Sequence, residues 1–152
     1  MQHRSLKIKT LGYQADHLPQ PGGNYVSVRL SASLAYVAIQ FPIVAGKFMY
    51  QGKLGAELNT DEGYAAARLC AMNALYQLEK YVGLDQLISI NHMDFFYQPA
   101  HAWDDAPIVA NGASDLFVEV LQEAGLHSRA ILGVAQLPRN FAVGLTVVAT
   151  LS

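Results

Sequence analysis

Arg129 is the residue whose type and position first suggest chemistry. It stands in "LHSRAILGVAQLP" (residues 126–138), where Ile131, Leu132, Val134, Ala135 and Leu137 follow with no further charge until Arg139. A guanidinium offers a planar fork of donors that matches a carboxylate bidentately, and it stays charged when partly desolvated. An arginine at the rim of an apolar pocket would therefore anchor a small organic acid. The plainer reading, a strand-edge arginine reaching solvent or pairing with an acidic side chain, stands beside it.

Other chemistries find less support. The histidines, at 3, 17, 92, 101 and 127, form no H-E-x-x-H or H-x-H pattern, and Cys70 lies inside a helical stretch with no second cysteine in the chain. No metal site is expected. The glycines of "QPGGNY" and "GKLGAEL" match neither phosphate-binding fingerprint, so no nucleotide cofactor is expected, and no G-x-S-x-G nucleophile elbow occurs. Lys and Arg are scattered over a chain of net charge −2, which argues against a nucleic-acid partner.

The elements that must position Arg129 follow from periodicity. "YVSVRLSASLAYVAIQFP" (25–42) alternates in two halves around "SAS" and predicts a hairpin. Residues 59–83 predict a long helix capped by Asn59 or Thr60 and stopped at Gly83, and residues 104–125 a second one, capped by Asp104 or Asp105 and followed by Gly125. Between them 85–99 is strand-like, and 130–137 and 141–151 close the chain as two strands about the turn "PRN". Pro- and Gly-rich residues 1–24 read as an N-terminal arm, with a short element near Leu6–Leu11, ahead of one domain over 25–152. Strand pairs and two separated helices imply an α+β sandwich, a mixed sheet with two helices on one face.

The composition adds an expectation about assembly. The chain of 152 residues is 52% hydrophobic and only 14% charged, where a charged share of about 25% is usual. So little charge cannot cover the second sheet face, which predicts an oligomer. No apolar run is long enough for a membrane span, no signal peptide is apparent, and a lone cysteine suits a cytoplasmic location.

The segments "GGNYVSVRLSASLAYVAIQFP", "GKLGAELNTDEGYAAARLCAMNAL" and "VANGASDLFVEVLQEAGLHSRAILGVAQLP" together resemble the RidA/YjgF family, also known as endoribonuclease L-PSP or translation-initiation-inhibitor-like, in its branch with a longer N-terminal arm. The resemblance spans about residues 11–150 and is strongest in S-R-A-x-x-G-V-A-x-L-P. It implies a chorismate-mutase-like fold assembled as a homotrimeric barrel with clefts between subunits. It also implies hydrolysis of reactive enamines and imines to 2-oxo acids and ammonia, without a cofactor. Arg129 matches the arginine that holds the substrate carboxylate, Tyr25 the tyrosine after the N-terminal glycines, and Asn111, with a one-residue length difference, an asparagine at the start of the second helix. Two positions depart from the pattern. The usual S-G-Q reads Ala38-Ile39-Gln40, and the glutamate fifteen residues after the arginine, expected to handle water, is Gly144, with Thr146 at the next acidic position. Losing a general acid or base costs about 10²–10⁴-fold in rate. The expectation is thus a weak or altered deaminase, or a non-catalytic trimer that binds a small carboxylate. A ribonuclease or translation-inhibitor role ranks last, for want of a basic patch or a paired His–His or His–Lys.

Overall fold

Residues 3–152 are described by a computed structural model; Met1 and Gln2, part of the expected arm, lie outside the described residues. The chain opens with helix α1 (His3–Thr10), where the short element was expected. Ile8 of α1 is fully buried in the common core. Arg4 ties α1 down by donating to the carbonyls of Leu84 at 3.1 Å and Leu87 at 2.7 Å.

The hairpin follows as β1 (Val28–Ser31) and β2 (Leu34–Gln40), turning at Ala32–Ser33. A short hairpin follows, β3 (Ile43–Val44) paired with β4 (Lys47–Phe48). Helix α2 (Thr60–Tyr81) is capped by Asn59, not Thr60. The Asn59 side chain accepts from Glu62 N at 2.8 Å and the Glu62 carboxylate accepts from Asn59 N at 3.0 Å, a reciprocal capping box.

Strand β5 (Leu87–Tyr97) leads into α3 (Ala106–Leu121), then β6 (Ser128–Gly133) and β7 (Val143–Leu151). Three local expectations are corrected here. Helix α3 ends at Leu121, and a 3₁₀ turn (Gln122–Gly125) replaces its last stretch. Gly125 packs so close to Phe117 that a Cβ would meet the Phe117 carbonyl oxygen at 2.2 Å. Asp105 occupies the cap position without capping; its carboxylate accepts from Thr60 Oγ1 at 2.9 Å, joining the N-terminal ends of α2 and α3. The sixth strand starts at Ser128 and stops at Gly133, short of the expected 137, because the chain then leaves the sheet edge.

The sheet runs β1-β2-β7-β5-β6. All neighbours are antiparallel except β5 and β6, which are parallel and joined by a crossover through α3. The fold is therefore α+β with a mixed sheet, α2 and α3 covering one face and α1 packed against that pair. Val147, Leu145, Met93 and Phe95 point from the sheet into this core and are buried. Cys70 is also fully buried in α2, and burial pushes its thiol well above the usual range. The opposite face carries the cross-strand row Arg29, Tyr36, Val148, His92 and Ser128. Among the described residues no helix is long and apolar enough to cross a membrane.

Candidate functional site

Strand β6 is an edge strand, and its register sets where Arg129 points. Arg129 pairs with Met93, and Ile131 with Phe95, so Arg129 lies on the helix side of the sheet. There it reaches α3. Arg129 Nη1 donates to Asn111 Oδ1 at 2.8 Å and to Ser114 Oγ at 3.1 Å, and Nη2 to the Pro107 carbonyl at 3.4 Å. All three acceptors are neutral. Among the described residues no carboxylate forms an ion pair with Arg129. Asp115 borders the same hollow but accepts from the Tyr64 hydroxyl.

Ser114 was not foreseen, although its place on the helix gave a signal: three residues beyond Asn111, it shares that face of α3. It extends the contact to His127. Ser114 Oγ lies 2.9 Å from His127 Nε2, and His127 Nδ1 lies 2.6 Å from the Gly125 carbonyl. A carbonyl can only accept, so Nδ1 carries the proton and Nε2 accepts from the Ser114 hydroxyl. Burial, which outweighs the opposing Gly125 carbonyl, pulls the His127 pKa below its ordinary value, with the charge of Arg129 adding to the fall. His127 is thus a half-buried neutral partner of the arginine cluster and not a free loop histidine.

The remaining expected residues gather elsewhere. Tyr25, Ala38 and Ile39 line a hollow of about 380 Å³ with Phe41, Phe48, Phe141, Pro138 and Arg139. The strand that supplies Ala38 and Ile39 bulges there: Val37 pairs with Val147 but Gln40 with Leu145, so three steps on β2 match two on β7. Such a bulge re-aims side chains out of the regular pleat. Gly144 lies beneath it. A Cβ at 144 would sit 2.8 Å from Phe41 Cε1 and 3.2 Å from Ile39 Cδ1. The space a longer side chain would need is filled by those two residues. Phe41 is held by stacking on Phe141, ring centroids 4.8 Å apart. The Tyr25 hydroxyl accepts from Gly22 N at 3.1 Å and leaves the ring half-exposed at the rim.

One chain therefore brings Arg129 and Asn111 together with Ser114 and His127, and brings Tyr25, Ala38, Ile39 and Gly144 together around a separate hollow. Two further polar contacts lie outside both groups. Asp94 Oδ1 lies 2.9 Å from His92 Nε2, while His92 Nδ1 lies 2.7 Å from Ser128 Oγ. Glu119 pairs with Arg68 of α2 at 2.9 Å.

Comparison with known proteins agrees with this architecture. Residues 7–151 match the family described as "YjgF/chorismate_mutase-like, putative endoribonuclease". The chain is 36% identical over 138 residues to protein TCP17 of Trypanosoma cruzi, covering 90% of this chain and 86% of that protein. Among solved structures, a "putative endoribonuclease" of Shewanella oneidensis MR-1 is 32% identical with a TM-score of 0.91, covering 97% of this chain and 99% of that one. Protein Atu1372 of Agrobacterium tumefaciens, of unknown function, is 31% identical with a TM-score of 0.88, covering 98% and 92%. From the shared fold and a match over nearly its whole length, this chain belongs to the YjgF/chorismate-mutase-like family.

Proposed function

We propose that the protein is a RidA-type enamine/imine deaminase of reduced power, hydrolysing small 2-imino acids to 2-oxo acids and ammonia. The observation that supports this most is the Arg129 guanidinium, fixed by three neutral oxygens and, among the described residues, ion-paired with no carboxylate. A cation held in that way is a ready partner for an anionic substrate. In this reading three copies assemble, and Arg129 with Asn111 of one copy faces the Tyr25, Ala38 and Ile39 hollow of the next. The substrate carboxylate docks on Arg129. Water adds to the imine carbon as the nitrogen gains a proton, and the resulting amino alcohol collapses with loss of ammonia. With Gly144 in place of an acid, backbone carbonyls at the bulge are the groups left to orient that water. Arg129→Ala is expected to abolish hydrolysis of 2-iminobutanoate generated in situ. Unchanged hydrolysis in that variant would refute the reading.

A second reading is a regulatory trimer that binds a small carboxylate without turnover. It is favoured by the packing of Phe41 and Ile39 over Gly144, which closes the place where a water-handling side chain would stand. A wild-type protein that is inert toward imines, yet binds 2-oxobutyrate in an Arg129-dependent way, selects this reading over the first. The RidA reading, in both forms, calls for no metal or cofactor.

A further inference from the structure

Arg139 sits in the turn between β6 and β7, where a charged residue has no evident task. The turn is nonetheless held with care. Arg139 and Asn140 both adopt left-handed conformations, with φ of 55° and 60°, a conformation that costs residues other than glycine. Gln98, almost fully buried, accepts from Leu137 N at 2.7 Å through Oε1 and donates through Nε2 to Asn140 Oδ1 at 2.9 Å and to the Gly52 carbonyl at 2.9 Å. Gln51 donates to the Arg139 carbonyl at 2.7 Å, and Gly52 N to the Asn140 carbonyl at 2.8 Å. The backbone is pinned, while among the described residues no hydrogen bond or ion pair engages the Arg139 guanidinium.

Arg139 lines the hollow over the β2 bulge. Its lining includes no Asp or Glu, and Arg139 is the one arginine or lysine in it. The walls are aromatic: Phe41 stacks on Phe141, and Phe48 meets Phe141 edge-on at 5.1 Å. A cation next to three phenyl rings suits an acid that is itself aromatic or branched, since the carboxylate takes the planar fork and the apolar group meets ring faces and edges. We propose that this hollow binds an aromatic or branched-chain carboxylic acid, with Arg139 holding the carboxylate and Phe41, Phe48 and Phe141 enclosing the apolar group. The inference rests on the acid-binding reading above, and adds to it the character of the acid and a second cation supplied by the same chain as the aromatic wall.

Calorimetric titration of the full chain with 3-phenylpropionate and with 2-oxobutyrate tests this. The expected result is that 3-phenylpropionate binds about tenfold more tightly, and that Arg139→Ala and Phe48→Ala each weaken it by about tenfold. Arg129→Ala, which removes the neighbouring copy's cation from the same hollow, should weaken 2-oxobutyrate binding at least as much as it weakens 3-phenylpropionate binding. Both Arg139 and Phe48 are exposed, and equal melting temperatures of variants and wild type would show that the fold is kept. A 2-oxobutyrate affinity equal to or above that of 3-phenylpropionate overturns the inference while leaving small-acid binding standing. So does a loss of 3-phenylpropionate binding that follows Arg129 and spares Arg139→Ala. Failure of both acids to bind overturns the inference and the acid-binding reading together.

Discussion

At the scale of single residues, the relay from Arg129 through Ser114 to His127 makes a definite pH prediction. The folded protein keeps His127 neutral to a lower pH than the unfolded chain does, because its folded pKa is depressed. Between the ordinary histidine pKa of about 6.5 and that lower value, the unfolded state binds more protons, so stability falls as the pH falls through this window. Denaturant unfolding at successive pH values should show this loss, and His127→Gln should flatten it. An unchanged profile in the variant would mean that another group is responsible. Gly144 gives a second prediction at this scale. Gly144→Glu alone should fail to raise imine hydrolysis and should destabilise the protein by about 1–3 kcal/mol, because its side chain collides with Phe41 and Ile39. Arg129 stood out in the sequence as a charged residue at the edge of an apolar strand, whereas Asn111 entered only through the family resemblance. The contacts at Gly144 were not, since they depend on a bulge 104 to 106 positions away in the chain, a separation over which no local pattern carries information.

Among the elements, the α2–α3 contact controls where Asn111 stands. Gly112 lies at the point where the helices touch: a Cβ there would meet the Tyr64 carbonyl oxygen at 2.1 Å. Backbone cannot give way as a flexible side chain can, so Gly112→Ala should cost about 3 kcal/mol in unfolding free energy despite the better helix propensity of alanine. It should also weaken acid binding through the shifted Asn111, and a fully stable variant would show that the helices adjust freely. The two long helices, the first hairpin and the succession of elements along the chain could be read from periodicity and caps. Element ends were read less well for physical reasons. Asp105 gave up its capping bond for Thr60, and Gly125 serves a tight pass over Phe117 in place of a helix stop.

Taken whole, the molecule covers one sheet face with helices and leaves the row from Arg29 to Ser128 to solvent in the single chain. Tyr36 on this row is 43% exposed. If three copies bury it, light scattering should give a mass about three times 16.5 kDa, and Tyr36→Glu should dissociate the assembly. A wild-type protein that scatters as a monomer would remove the shared clefts that the deaminase reading needs. The proposed division into an arm over 1–24 and a domain over 25–152 has to accommodate Ile8, buried in the common core, which makes α1 part of what the domain needs to be stable. The sparse charge pointed to an unpaired sheet face. It could not locate the hollow over the β2 bulge, because that hollow joins segments as far apart as Pro19 and Phe141.

The crowding at position 144 also bears on how this lineage can change. An acid gained there by a single substitution meets Phe41 and Ile39 and costs stability before it can serve chemistry. Accommodating it freely requires position 41 or 39 to shrink as well, a change that brings no catalytic gain on its own. The present site is in this sense a ratchet. Laboratory selection for stronger imine hydrolysis should therefore recruit acids at other positions around the hollow before one at position 144.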